Sequence, residues 1–221
     1  MMNATQIPRA HRAAAVLAVL ALLVIGAGLP GVALAQSDAQ VVRVEEDWEL
    51  VVATPDPNSD APQVTCVISP VENVDSVHAA FELNHQSMPD FVAGGLQLQI
   101  WNNEEHLGSR KFPNGSLLQT AGETVRWTQS LELSEGLLTF EITDGTSAAW
   151  GNFGGQGYLK ASISSQLENL NGYSPTVSIA NSGVGYAANR VASLVLRKVR
   201  LVTSTGEVLE AEPQVSVYPR Q

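Results

Sequence analysis

From residue 41 onward, apolar and polar side chains alternate along most of the chain. Val42, Val44, Glu46, Trp48, Leu50 and Val52 occupy every second position, the period of a β-strand whose successive side chains point to opposite faces. The same rule predicts strands over 63–69, 77–84, 96–101, 124–133, 137–143, 158–164, 176–180, 191–203, 207–212 and 215–218. In 96–101, Leu96, Leu98 and Ile100 oppose Gln97, Gln99 and Trp101, which describes a strand with one dry face and one wet face. In 63–69 the alternation puts Cys66 on the face of Val64 and Ile68. The polar run Thr54-Pro55-Asp56-Pro57-Asn58-Ser59-Asp60-Ala61-Pro62 cannot continue a sheet. Asn114-Gly115, Asp144-Gly145 and Asn171-Gly172 supply residues that tolerate positive φ and so predict turns, and Ser204-Thr205-Gly206 predicts a hairpin tip. Helical periodicity is scarce, and the single short candidate lies within 164–170.

About ten short strands with regular turns predict an all-β fold, an antiparallel β-sandwich of jelly-roll type. A closed β-barrel is the alternative topology. No repeat of fixed period supports a β-helix, and no shift of composition marks a second domain after residue 35. The order of elements, with extended amphipathic strands near both ends, resembles the concanavalin-type lectins and laminarinases. That resemblance implies architecture alone: the E-x-D-x-x-E strand motif of the laminarinase-type enzymes is absent, and no residue role carries over.

The first 35 residues follow another pattern. Arg9, His11 and Arg12 stand without an acidic neighbour, 13–25 is apolar throughout, Gly26, Gly28, Pro30 and Gly31 break the helix, and Ala33-Leu34-Ala35 offers small residues at the −3 and −1 positions. Together these predict a signal helix cleaved between Ala35 and Gln36, leaving 36–221 as a single exported domain, secreted or periplasmic. A retained anchor would need about 20 uninterrupted apolar residues, and the glycines and Pro30 cut the apolar helix short. No cysteine stands near the cleavage point to carry a lipid.

The leader holds two of the 12 basic residues and none of the 22 acidic ones, so the remainder keeps ten against 22, a net charge of −12. That balance disfavours nucleic acid and anionic membrane as partners. The one basic cluster, Arg197, Lys198 and Arg200, reads as the wet face of a strand. A single cysteine rules out an intramolecular disulfide, and its strand position predicts an inert core thiol.

Two segments carry candidate chemistry. Asp56, Asn58 and Asp60 place oxygens at alternate positions, a weak signal for calcium. Ala61 and Val67 stand where an EF-hand needs Gly and Glu, so the competing reading is a proline- and Asx-capped turn. No other cofactor is implied, and His78, His85 and His106 lack the close spacing of a compact zinc site. The segment 150–158 is the most unusual in composition. Trp150, Asn152, Phe153, Gln156 and Tyr158 sit among glycines, and rings beside amides suit sugar recognition, with Trp101 extending the patch and Trp127 assigned to the core. The competing reading is a loop whose glycines allow close packing and whose aromatics cap the core. There is no Gly-x-Ser-x-Gly, and no pair of carboxylates is marked out for glycoside cleavage. The sequence therefore leans toward a non-enzymatic exported β-sandwich acting in binding or in envelope and matrix structure, with polysaccharide or an envelope component as partner. A secreted jelly-roll glycoside hydrolase and an assembly subunit pairing through sheet edges are the rivals.

Overall fold

The computed structural model describes residues 39–54, 61–84 and 94–220. The leader, the Asp56, Asn58 and Asp60 run and His85 lie outside the described residues. The elements are β1 (Val41–Val52), β2 (Gln63–Ile68), β3 (Val77–Leu83), β4 (Leu96–Asn102), β5 (Glu105–Lys111), β6 (Thr124–Ser134), β7 (Leu137–Ser147), β8 (Gly151–Phe153), β9 (Lys160–Ser164), α1 (Pro175–Asn181), β10 (Gly183–Tyr186), a 3-10 turn (Ala188–Arg190), β11 (Val191–Thr203), β12 (Val208–Ala211) and β13 (Val215–Tyr218). They form two antiparallel sheets rather than a closed barrel. The larger runs β12-β11-β1-β6-β7-β8, with β13 also on β11 and β9 also on β7, and the smaller runs β10-β2-β3-β4-β5. The all-β sandwich expected from the alternation is the fold observed.

The core lies between the sheets. Trp48 of β1 and Trp127 of β6 are register partners, and their rings stack 6.3 Å apart at 6°. Phe81 of β3 reaches Trp127 from the smaller sheet at 5.8 Å. Aromatic pairs at such separations add to the burial of their large apolar area. Cys66 is buried and free, opposite Phe81 in β3. Burial pushes its thiol well above the usual range, with the nearby Glu46 charge acting in the same direction, which disfavours the nucleophilic thiolate.

Several details depart from the alternation, each for a physical reason. In β1 the pairing with β11 slips between Val41 and Arg43, so Val41, not Val42, enters the core. In β11 the slip opposite Asp47 and Trp48 makes Arg197 an extra residue. Such a bulge sets two residues against one partner, and Arg197 and the adjacent Lys198 are both partly exposed. Asp144-Gly145 is no turn: both lie inside β7. Gly145 stands against Phe153, and a Cβ there would come within 2.1 Å of the ring, so glycine answers to packing and not to a turn.

The segment 176–180 is not a strand but belongs to α1, which begins on Pro175, a residue whose fixed φ suits a first helical position. No helix forms within 164–170. Three short strands escaped the pattern, namely β5, β8 and β10. The Ser204-Thr205-Gly206 tip forms as expected: Gly206 N–H donates to Thr203 O at 2.9 Å, with Gly206 at φ 83°.

Candidate functional site

The candidate residues of 150–158 do not form one surface. Trp150 and Phe153 are buried, 4% and 2% exposed, and meet edge to face at 6.4 Å. The Trp150 indole N–H is spent on the backbone oxygen of Ser116 at 2.7 Å. Tyr158 is partly buried and leans on Phe112, ring centres 4.9 Å apart. Asn152 and Gln156 are exposed. The short β8 explains the split, because pairing Gly151–Phe153 to β7 turns the two rings into core while leaving the amides outside.

Trp101 has another environment. It is the one tryptophan of four that keeps part of its surface exposed; Trp48, Trp127 and Trp150 are at 4% or less. It stands on the outer face of the smaller sheet, opposite the buried Leu96, Leu98 and Ile100. Strand register puts His78 of β3 on one side of it and His106 of β5 on the other. Its indole N–H donates to Gln99 Oε1 at 3.0 Å, and the His106 ring lies 4.9 Å away at 51°. His78 Nδ1 meets the backbone oxygen of Ser76 at 3.0 Å. The β4–β5 turn follows at once: Asn102, Asn103 and Glu104 are all exposed, with Asn103 at φ 53°, a conformation asparagine tolerates better than most residues. A partly exposed indole held in a fixed tilt, two imidazoles and two side-chain amides thus share one end of the sheet. The sequence had marked Trp101 by its place on the polar face. The sequence considers His106 only as a metal ligand, because β5 is polar almost throughout and gives no alternation that would set it beside Trp101, and Asn102 and Asn103 fall just past the predicted strand 96–101.

Most of the outward charged residues of β1 and β11 in the larger sheet are paired with opposite charges. Glu49 binds Arg126 Nε through Oε2 at 2.8 Å and Arg197 through Oε1. Arg200 reaches Glu45 at 2.6 Å and both oxygens of Asp47 at 2.8 and 2.9 Å. The Arg197 contact, with Arg126 in support, holds the Glu49 carboxyl below its usual range. Lys198 pairs with Glu210 and Glu212. The basic cluster is therefore the neutralised wet side of a strand, as its sequence context implied. Among the described residues no group of three or more His, Cys, Asp or Glu side chains is placed to hold a metal ion. None of their helices is long and apolar enough to cross a membrane.

No protein-family model matches the chain, and no curated protein matches it.

Proposed function

We propose that the protein is an exported, non-catalytic β-sandwich that binds glycans through the outer face of its smaller sheet. The observation that supports this reading is the placement of Trp101, a partly exposed indole oriented by Gln99 and flanked by His106, with Asn102 and Asn103 beside it. An indole face packs on the C–H face of a pyranose while amides and imidazoles bond its hydroxyls, and a flat sheet face accommodates an extended polysaccharide. A stacking contact of this kind is worth about 1 kcal/mol beyond its buried area, so Trp101→Ala should weaken binding roughly tenfold or more. A glycan array and a polysaccharide pull-down check this. Absence of binding by the native protein, or binding that Trp101→Ala leaves intact, overturns the glycan reading.

Export rests on the leader pattern. Expression with the leader in a Sec-competent host should yield an extracellular or periplasmic protein whose N-terminal sequencing begins at Gln36. A product that keeps residues 1–35, or stays in the cytoplasm, overturns it.

A further inference from the structure

The other end of β4 carries a second feature, about 17 Å from Trp101 at the rise of five strand residues. There Gly115, Ser116, Leu117, Gln119 and Thr120 on one side and Ala148-Ala149 on the other enclose a shallow depression of about 580 Å3. Its walls are irregular chain, yet buried side chains hold each of them. Trp150 donates its indole N–H to Ser116 O at 2.7 Å, and Gly95 N–H donates to the same oxygen at 2.9 Å. Asn84, 1% exposed, accepts from Leu118 N–H at 2.8 Å and returns its own N–H to Leu118 O at 2.9 Å. Arg190, 5% exposed, donates to Gln119 O at 2.9 Å. Across the depression Glu123, 7% exposed, takes Ser147 Oγ at 2.5 Å and Ala149 N–H at 3.0 Å on its Oε1. These bonds satisfy backbone groups that regular structure leaves unpaired, and in doing so they fix both walls. A ligand entering such a site orders little of the protein, which removes one of the main costs of association.

The lining sets the chemistry. None of its side chains carries a charge. Its polar groups are the hydroxyls of Ser116 and Thr120, the Gln119 amide and the backbone, and its apolar groups are Leu117, 38% exposed, and the two alanine methyls. An ionic ligand would find no counter-charge on that surface, whereas a ring with one apolar face and a rim of hydroxyls finds both partners. The volume lies within the range of small-molecule sites, about 300–1,000 Å3. We propose that this depression is a preformed binding site for a neutral saccharide, separate from the Trp101 face and independent of it.

Amide chemical shifts of the whole exported chain, titrated with neutral gluco-, manno-, xylo- and N-acetylglucosamine tetrasaccharides, test the proposal. Saturable shifts are expected at 115–120 and 148–149 with millimolar or better affinity. Ala148→Phe fills the depression from an exposed position and should weaken binding at least tenfold, and Leu117→Ala, also exposed, should weaken it several-fold. Trp101→Ala should leave these shifts unchanged. Shifts confined to 99–106 would overturn this site while leaving the Trp101 reading intact. Shifts at 115–120 that survive both variants, tighter binding of a uronic acid tetrasaccharide than of any neutral one, or silence toward all four probes would each overturn it as well.

Discussion

Trp127→Ala is expected to lower the free energy of unfolding by about 4 kcal/mol, within the range found when a buried tryptophan is cut to alanine. Trp127 is 2% exposed and sits where the two sheets meet, stacked on Trp48 within its own sheet and touched by Phe81 from the other. Removing the indole costs its burial and opens a cavity whose walls are two further rings on strands of different sheets. Those walls cannot close without sliding β1 or β3 out of register. Trp127→Phe separates ring from N–H. The Trp127 Nε1 is buried with no hydrogen-bond partner among the described residues, so its loss leaves no acceptor stranded. That change should cost about 1–2 kcal/mol for lost volume alone. Urea unfolding followed by near-UV circular dichroism reads both variants against wild type. An alanine variant within 1 kcal/mol of wild type would mean that the aromatic stack is not the centre of the core.

The fold was legible where the alternation was long. β1, β3, β4, β6 and β11 have enough inward apolar positions that only one register buries them all, and a slip by one residue would turn the whole set to solvent. What alternation cannot report is a bulge, because the extra residue keeps the local pattern while changing the face. The alternation sets Val42 on the face of Val44 for that reason, and the wet face it assigns to Arg197 and Lys198 holds although two adjacent residues share it, because the bulge falls at Arg197. The alternation over 176–180 predicts a strand, and its β-branched Thr176, Val177 and Ile179 favour one. Pro175 at the start of α1 and the hydrogen bond of Ser178 to a buried carboxylate override that preference. β5 has charges at both ends and no inward apolar series, so its existence follows only from its pairing with β4.

The site was less legible than the fold because exposure is a tertiary property. Trp150 and Phe153 share the glycine-rich setting expected of a recognition loop, and a three-residue pairing with β7 makes them core instead. The asymmetry lies in Gly145, whose missing side chain leaves room for the Phe153 ring. No local rule links residues 145 and 153 in advance. Trp101 was legible, since its neighbours in register already assigned it to the wet face. The depression by Ser116 was not, as its lining is glycine, serine, alanine and threonine, which resemble any connecting loop until the buried side chains behind them are seen.

Glu46 is the one acidic residue in the inward register of β1, between Val44 and Trp48. It is 0% exposed, and its partners are all neutral donors. Trp48 Nε1 and Gln129 Nε2 donate to Oε2 at 3.0 and 2.7 Å, while Tyr173 and Ser178 donate to Oε1 at 2.6 and 2.5 Å. The carboxylate thus ties α1 and the turn before it to the inner face of the larger sheet. Glu46→Ala should cost about 3 kcal/mol, because the Trp48 and Gln129 N–H groups lose their acceptor in a dry setting. Glu46→Gln should cost about 1 kcal/mol or less, since its amide can sit where Tyr173 and Ser178 hydroxyls can turn to accept, leaving the carbonyl for the two N–H donors.

The pH dependence has a sign that follows from burial, which raises the Glu46 carboxyl above its ordinary 4.5 against the opposing pull of the four hydrogen bonds. Between 4.5 and the raised value the folded protein holds a proton that the unfolded chain has released, so this residue's contribution to stability falls as pH rises through that window. Glu49 runs the other way: its depressed carboxyl stabilises the fold above 4.5 and loses that contribution as pH drops through the folded value. Comparing wild type with Glu46→Gln cancels the Glu49 contribution, because both proteins carry it. The difference in urea midpoint should therefore move in favour of wild type on acidification toward 4.5. A difference that stays flat with pH would show that Glu46 ionises in the core as readily as in water, and one that moves in favour of the glutamine variant would show that it ionises more readily there.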